Sequence, residues 1–424
     1  MAKPYSVLMG KAVRYLARLR GGGSALPGLF VETIDKSFVA DTLAQLPQGV
    51  VLVSGTNGKT TTTKMVVELL ESQGLRVFTN RTGSNFSRGV AAALLGEIDA
   101  RGKLRADIAV LELDEAHAVH FVATVPPRYS LLLNVMRDQL DRFGEIDTTA
   151  GMLERIAQAT THTVVVNRED ARLRAIANKL PAKNTRYFGL DTSLRKQFPN
   201  DDELHGGARA QDSLPDADVL LQSADRDAAF LIDDNVVQTA LKLRGVYNIF
   251  NAAAALALTR AVVGEAIDQP ALIAKLATIE PAFGRGETLT VGGQPCELVL
   301  VKNPAGFRLS LQSFDPAGYA TMIAINDNYA DGRDMSWLWD VDFTSLQEQS
   351  VAEVSGVRAY DMALRLQYDG VAVAALHVNT DLSRGLDSFL THNKNTPKRI
   401  YCTYTAMLAL RRELAKFTTV KEVV

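Results

Sequence analysis

The sequence predicts an α/β protein: a domain built on a mainly parallel sheet with helices on both faces, followed by a smaller Rossmann-like unit. Three observations predict it. Apolar runs of strand length alternate with helical patterns from Val50 to Val166. A glycine-containing turn, Ser54 to Thr60, joins the first of those runs to a helix. A second strand–helix rhythm begins just after Phe283-Gly284-Arg285-Gly286.

In chain order, Lys3, Lys11, Arg14, Arg18 and Arg20 interleave with Val7, Leu8, Val13, Leu16 and Leu19. That pattern reads as a short amphipathic helix closed by Gly21-Gly22-Gly23. It suits an ordinary surface helix capping the next domain, which is the favoured reading, or an approach to anionic lipid. Val50 to Val53 is a buried-type strand. The run through Met65, Val66, Leu69 and Leu70 is a helix ending near Gly74, and Arg76-Val77-Phe78 starts the next strand. Ile108 to Leu113, Tyr129 to Leu133 and Thr163 to Val166 are further strands. Arg195 to Pro215 is polar and glycine-bearing, an irregular insertion or loop. Helical residues resume from Asn248 to Val262. Beyond Gly286, strands are expected at Glu297 to Val301, Thr321 to Ile325, Ala352 to Ser355, Val371 to Ala374 and Arg399 to Thr403. Helices are expected near Phe307 to Ser313, Ala359 to Gln367 and Ala406 to Ala415. The resulting division is 1–39, a helical segment; 40–285, the nucleotide-binding type of domain; and 286–424, the second unit.

Composition narrows the class. Of the 424 residues, 47% are hydrophobic and 22% charged, enough for a large core without staples. A net charge of −2 gives no global field toward nucleic acid. Two cysteines, Cys296 and Cys402, cannot build a disulfide framework or a four-cysteine zinc site, so a reduced cytoplasmic setting is expected. No signal-peptide core is visible at the N-terminus, and the apolar stretches noted are strand-length, so any membrane role is expected to be peripheral.

The strongest chemical signal is Ser54-Gly55-Thr56-Asn57-Gly58-Lys59-Thr60, followed by Thr61, between a strand and a helix. Glycines let backbone N–H groups approach a triphosphate, and the helix head adds partial positive charge. Lys59 can neutralise phosphate charge, and Thr60 can ligate Mg²⁺. The competing reading is a glycine turn with an incidental lysine; the strand–helix context disfavours it. Glu112 ends a strand, at the edge where parallel sheets place ligands, and a carboxylate there can hold Mg²⁺. Asp114 and Glu115 are its rivals, and a solvated strand-end carboxylate is the plainer alternative.

Gly55-Thr56-Asn57-Gly58-Lys59-Thr60, with Val53 where many P-loops have their first glycine, resembles the Mur ligase and folylpolyglutamate synthase superfamily. Asn134 through Gly144 resembles a Mur segment, with Gln139 standing where most members have a histidine. Gly245-Val246-Tyr247-Asn248-Ile249-Phe250-Asn251-Ala252-Ala253 resembles the family's helix start, and Arg285 matches the family arginine. The resemblance implies a Mur-ligase central domain binding ATP and Mg²⁺. Gly55 through Thr61 would take the phosphates, Asn248 the adenine and Arg285 a phosphate. Thr60 and Glu112 would serve the metal. Val299-Leu300-Val301-Lys302-Asn303-Pro304 departs from the family's ribose-binding pattern, having no Asp.

The run Asn326 to Asp340 crowds acidic and amide residues and both tryptophans into fifteen positions after a strand. An acidic loop anchored by core tryptophans is the alternative. With Val354 to Ala359, it resembles the C-terminal domain of the MurT branch. That resemblance implies that Asp334 completes a triad with a cysteine and a histidine of a separate glutaminase subunit of the GatD type; Asp331 and Asp340 are its fallbacks. It further implies that Lys59 and Asp334 are the catalytic groups and that lipid II is the substrate. The D-glutamate α-carboxylate would be amidated through an acyl phosphate at the inner face of the plasma membrane. The four-cysteine zinc ribbon of many members is missing, and no zinc is expected. With the glycine turn already at Ser54, the additional N-terminal substrate domain of most Mur ligases is not expected. His117 and His120 read as solvent-facing helix residues. A stand-alone amide ligase and a nucleotide-binding scaffold are the rival readings.

Overall fold

The structure, a computed structural model, describes residues 3–19, 26–80, 86–137, 146–200, 203, 213–224, 227–243, 245–280 and 285–420. Three helices come first: α1 (Pro4–Leu19), α2 (Leu26–Ile34) and α3 (Phe38–Leu43). Then β1 (Val50–Ser54) leads into α4 (Lys59–Ser72), β2 (Val77–Thr79) into α5 (Ser87–Glu97), and β3 (Ile108–Glu112) into α6 (Glu115–Val122). β4 (Tyr129–Leu132), α7 (Ile146–Ala159), β5 (Thr163–Asn167), α8 (Ala171–Ala177) and β6 (Thr185–Leu190) continue the alternation. β7 (Val219–Ala224), β8 (Asp227–Ile232) and β9 (Asn235–Ala240) close the sheet, ahead of α9 (Val246–Val263) and α10 (Gln269–Thr278).

Among the described residues this sheet runs β2-β3-β1-β4-β5-β6-β7-β8-β9. It is parallel from β2 to β7 and antiparallel through the last two strands. Strands β1, β3, β4 and β5 are buried along their whole length, because helices cover both faces. One face packs Met65, Leu69 and the alanine-rich α9; the other packs Phe38, Leu94 and Leu153. By length and composition the helix at Val246–Ala266 could cross a membrane. Here its Ala252 to Leu258 stretch lies buried in the core beside the sheet. The sequence reading missed the strands from Thr185 to Ala240. β9 is largely exposed, so it lacks the apolar signature of a core strand.

The second sheet collects β10 (Arg285–Val291), β11 (Gln294–Leu300), β12 (Ala320–Ala324), β13 (Glu353–Ser355), β14 (Val378–Asn379) and β15 (Lys398–Cys402). Its order is β10-β11-β15-β12-β13-β14, parallel except for the β10–β11 hairpin. The helices are α11 (Pro304–Ser313), α12 (Ala359–Tyr368), α13 (Leu382–His392) and α14 (Tyr404–Leu414). The expected strand at Val371 to Ala374 does not form. Extended chain there gives the Val371 N–H to Leu366 O and takes the Val351 N–H at Ala372 O, and ladder pairing starts only at Val378. Of the Arg195 to Pro215 insertion, 195–197 end a 3₁₀ turn, and 201–202 and 204–212 lie outside the described residues.

Candidate active site at the head of a buried helix

Strand order puts β1 between β3 and β4, so the loop after β1 opens into the crevice where the winding reverses. Register places Val53 opposite Glu112 on one side and Ser54 opposite Leu132 on the other. Gly55 and Gly58 take φ of +134° and +89°, a region costly for any residue with a Cβ. At Gly58 a Cβ would also meet the Asn251 amide at 2.8 Å. Both glycines are therefore demanded by backbone conformation.

Asn134 clamps the loop from β4. Its carbonyl accepts the Thr56 N–H at 3.1 Å, its Oδ1 accepts the Asn57 N–H at 2.9 Å, and its Nδ2 donates to the Asn57 carbonyl at 3.0 Å. Thr56 Oγ1 and Met136 exchange a second pair of bonds. Behind this clamp sits Asp170, whose carboxylate accepts N–H bonds from Val135 at 2.7 Å, Arg172 at 2.9 Å and Leu173 at 3.1 Å. One side chain thus caps α8 and holds the loop that holds the nucleotide-type turn. Burial pushes the Asp170 carboxyl up in spite of those three bonds.

Lys59 and Thr60 open α4. The Lys59 ammonium donates to the Gly55 carbonyl at 2.6 Å and pairs with Glu115 at 3.2 Å, both side chains being buried. Burial drives the Glu115 carboxyl upward, against the pull of Lys59 and of the nearby Lys302. Thr60 Oγ1 donates to Glu112 Oε1 at 2.8 Å. The backbone of Glu112 is fixed by Asn80, whose side chain bonds both its N–H and its carbonyl. Thr60 and Glu112 thus form an oxygen-donor pair at the helix head, suited to a hard divalent cation. Among the described residues no cluster of three or more His, Cys, Asp or Glu forms a metal cage. A cation at this pair would depend on phosphate and water for its remaining ligands, as Mg²⁺ does.

Asn57, Gly58, Thr61 and Asn248 line one cleft of about 150 Å³, together with Phe198 and Lys302. Asn248 enters from the first turn of α9. Lys302 enters from the second sheet, and so does Asn303, whose Nδ2 reaches Asn57 Oδ1 at 3.2 Å. Gly55, Thr56, Asn57, Gly58, Lys59, Thr60, Thr61, Glu112 and Asn248 therefore converge at this crevice. Arg285 begins β10, but its side chain lies outside the described residues, as does the whole segment Asp138 to Gly144 with Gln139. The sequence reading missed Asn80 and Asp170, and it cast Glu115 only as a metal rival. Asp170 left one signal, an acidic residue ahead of Ala-Arg-Leu just after a buried strand.

Asp334 lies elsewhere, in a separate pocket of about 280 Å³ with Arg333, Trp339, Arg358 and Asp361. It is half-exposed, and bonds from Ser336 hold its carboxyl below the usual range, so it is ionised at neutral pH. Asp331, by contrast, is buried and tied to Thr405 and Asn328. Trp337 is buried as the loop's anchor, whereas Trp339 is half-exposed and packs edge-on against Tyr368. Both thiols are fully buried; burial pushes Cys296 up to about 12 and Cys402 higher still, so neither is a nucleophile. His117 and His120 are exposed on α6.

Comparison with known proteins follows the same two-part division of motifs. Residues 53–259 match the Mur ligase middle domain, and residues 300–407 match the MurT ligase C-terminal family. The chain is 30% identical over 450 residues to the lipid II isoglutaminyl synthase (glutamine-hydrolyzing) subunit MurT of Streptococcus pneumoniae, covering 98% of each. It is 27% identical to the subunit of the same name from Staphylococcus aureus (strain COL), covering 87% of this chain and 88% of that one. A crystal structure of MurF from Acinetobacter baumannii shares the fold, with a TM-score of 0.66 at 18% identity over 92% of this chain and 80% of that one.

Proposed function

The chain belongs to the MurT family of Mur-ligase-like subunits, and from that premise we propose that it uses ATP to activate a carboxyl group of lipid II for amidation. It is a ligase of peptidoglycan synthesis. The group activated is the α-carboxylate of D-glutamate in the stem peptide, and the product carries D-isoglutamine. The observation that carries this reading is the gathering of Lys59, Thr60 and Glu112 at one helix head, after a loop whose Gly55 and Gly58 take positive φ.

The residues present fit ATP and Mg²⁺. The Gly55 to Gly58 turn and the head of α4 would hold the triphosphate, Lys59 would neutralise it, and Asn248 would read the base. Bound at Thr60 and Glu112, Mg²⁺ would supply charge neutralisation on the phosphate oxygens. The carboxylate oxygen attacks the γ-phosphorus, and ADP leaves. That step turns a poor leaving group into phosphate. Ammonia then attacks the acyl carbon, phosphate departs, and the nitrogen loses a proton to give the amide. Water must be kept from the reacting centre, where it would hydrolyse the acyl phosphate.

Ammonia comes from a partner in this reading, a GatD-type glutaminase subunit in a heterodimer. Two observations support it: the described residues offer no reactive thiol, and the ionised Asp334 shares a pocket with exposed Trp339, which packs on exposed Tyr368. Asp334 would orient a histidine of that partner. The pair works in the cytoplasm at the inner face of the plasma membrane.

The test is amidation of lipid II by the purified pair, fed either glutamine or free ammonia. Lys59→Ala is expected to abolish both reactions. Asp334→Asn is expected to cut the glutamine-driven reaction at least about a hundredfold and to spare the ammonia-driven one. Persistent ATP turnover in Lys59→Ala, or incorporation of an amino acid in place of ammonia, overturns the reading. The latter result would favour a stand-alone ligase.

A further inference from the structure

α12 turns one charged stripe toward the loop that carries Asp334. Arg358, Asp361, Arg365 and Asp369, counted from the N-cap to the C-cap of the helix, fall within about 80° of arc at helical period. Arg358 grips the start of the loop: its Nε and Nη2 reach the Asp327 carboxylate at 2.9 and 2.7 Å. Arg365, two helical turns further on, grips the end. Its Nε donates to the Leu338 carbonyl at 3.2 Å, its Nη2 to the Val341 carbonyl and its Nη1 to the Asp369 carboxylate. Asp369 in turn accepts the Phe343 N–H at 2.8 Å. Between the two ends, Asp331 accepts the Thr405 N–H at 2.7 Å and Trp337 is buried. Asp334 therefore sits in the short span between the anchored positions 331 and 337.

Arg365 is only 7% exposed, and a buried guanidinium is costly unless its donors find acceptors. Its Cζ lies 5.5 Å from the ring centroids of both Trp339 and Phe343. A leucine could pack against those rings, but it could not direct two carbonyls of a loop 24 and 27 positions away. That direction matters here. Ser336–Asp340 is a single 3₁₀ turn, and its own bonds, Leu338 N–H to Met335 and Val341 N–H to Leu338, run to 3.1 and 3.3 Å. Such turns hold their pitch weakly, so outside contacts set it. Ser336 opens the turn, and its N–H donates to Asp334 Oδ1 at 2.9 Å. Contacts thus run from Arg365 to the far end of the turn, and from the near end of the turn to the Asp334 carboxylate.

We propose that Arg365 is a positioning residue for Asp334: through the Ser336–Asp340 turn it fixes the direction in which that carboxylate is offered to the glutaminase partner. The inference rests on the triad role proposed for Asp334 above. Arg365 lines neither the nucleotide cleft nor the Asp334 pocket, so it acts only through the turn. Its loss therefore falls on nitrogen delivery and leaves carboxyl activation alone. A carboxylate that orients a histidine works only in the right place, and a displacement of about 1 Å can cost up to about a hundredfold in rate.

The test compares amidation by the full chain at saturating glutaminase partner, fed glutamine or free ammonia. Arg365→Met is expected to lower kcat of the glutamine-driven reaction about tenfold or more, with the ammonia-driven rate and the KM for ATP within about twofold. Arg365→Lys, which keeps the charge and part of the donor set, should fall between. In an Asp334→Asn background, Arg365→Met should add no further loss, because both changes break one chain of contacts. Both tryptophans of the chain lie in this turn, so intrinsic fluorescence of the chain alone gives a readout free of the chemistry, and its emission should shift in Arg365→Lys. Should Arg365→Met unfold, as a lost thermal midpoint would show, the ratio of the two rates in Arg365→Lys carries the test. Equal losses in both reactions, or a double variant worse than Asp334→Asn alone, would overturn the positioning role. So would glutamine-driven amidation that Arg365→Met leaves intact while Asp334→Asn cripples it. Asp334→Asn sparing that reaction is a different result, and it overturns the triad reading itself.

Discussion

Glu115 is a buried carboxylate whose presence is explained by one contact, the Lys59 ammonium. Removing its charge would strand that ammonium in a site with little water. Glu115→Gln is expected to cost roughly 3 kcal/mol in chemical denaturation, near the lower end for breaking a buried pair because Lys59 keeps its bond to the Gly55 carbonyl. Asp170 works through another residue. It lines the same cleft and holds Val135, and Val135 follows the Asn134 clamp. Asp170→Ala leaves three N–H groups without their acceptor, two of them at the head of α8. The expected loss is about 2–3 kcal/mol of stability, with a higher KM for ATP at little-changed kcat. If KM and stability both stay put, the relay from Asp170 to the loop is wrong.

Among elements, β1 and α4 carry the site because their junction is short and strained. Gly58→Ala would force a side chain into φ +89° and against Asn251. It is expected to lower stability by about 1–3 kcal/mol and to abolish ATP binding, measured by calorimetry. The start of β3 shows a pH-dependent contact. Arg76, just ahead of β2, holds Asp107, just ahead of β3, through two side-chain bonds, and keeps its carboxyl at about 2 rather than 3.8. The folded state thus resists protonation that the unfolded chain accepts. The stability so gained is complete above the unfolded value and is lost as pH falls toward about 2. Arg76→Ala weakens the depression, leaving only the backbone N–H bond to Asp107; stability at pH 7 should fall modestly, the difference from the unaltered chain should vanish as pH falls toward about 2, and the acid-unfolding midpoint should move to higher pH. An unmoved midpoint would sink this assignment.

At the scale of the whole molecule, the crevice belongs to both sheets. Met136 of the first packs with Ala305 and Leu309 of α11, and Asn303 bonds across to Asn57. Asn303 also caps α11 by accepting the Gly306 N–H at 2.7 Å. Asn303→Ser keeps a capping hydroxyl but is too short to reach Asn57. It should raise the KM for ATP several-fold at a nearly unchanged Tm; a fall in Tm with unchanged KM would mean the side chain serves only its own helix.

Much of this was legible in the sequence. Glycine spacing between a strand and a helix, a glutamate closing an apolar run, and the Asn-Pro start of α11 are signals carried within a few residues, where steric limits and side-chain period act directly. The sequence determined the α/β class, the phosphate-type turn and the strand-end Glu112 in this way. Tertiary structure alone decided that Glu115 faces Lys59 while Glu112 faces Thr60. It decided that Asp170 reaches Val135, 35 positions away, and that Asn303 reaches Asn57, 246 positions away. It also decided the direction of α1, whose Leu8 and Leu16 are exposed while Gly10 lies close against Leu95 and Val31. Periodicity drew the apolar stripe, but which side of a helix meets the protein depends on where a glycine lets another helix approach. Such contacts are made by strand order and close packing across the molecule, and no local pattern encodes them.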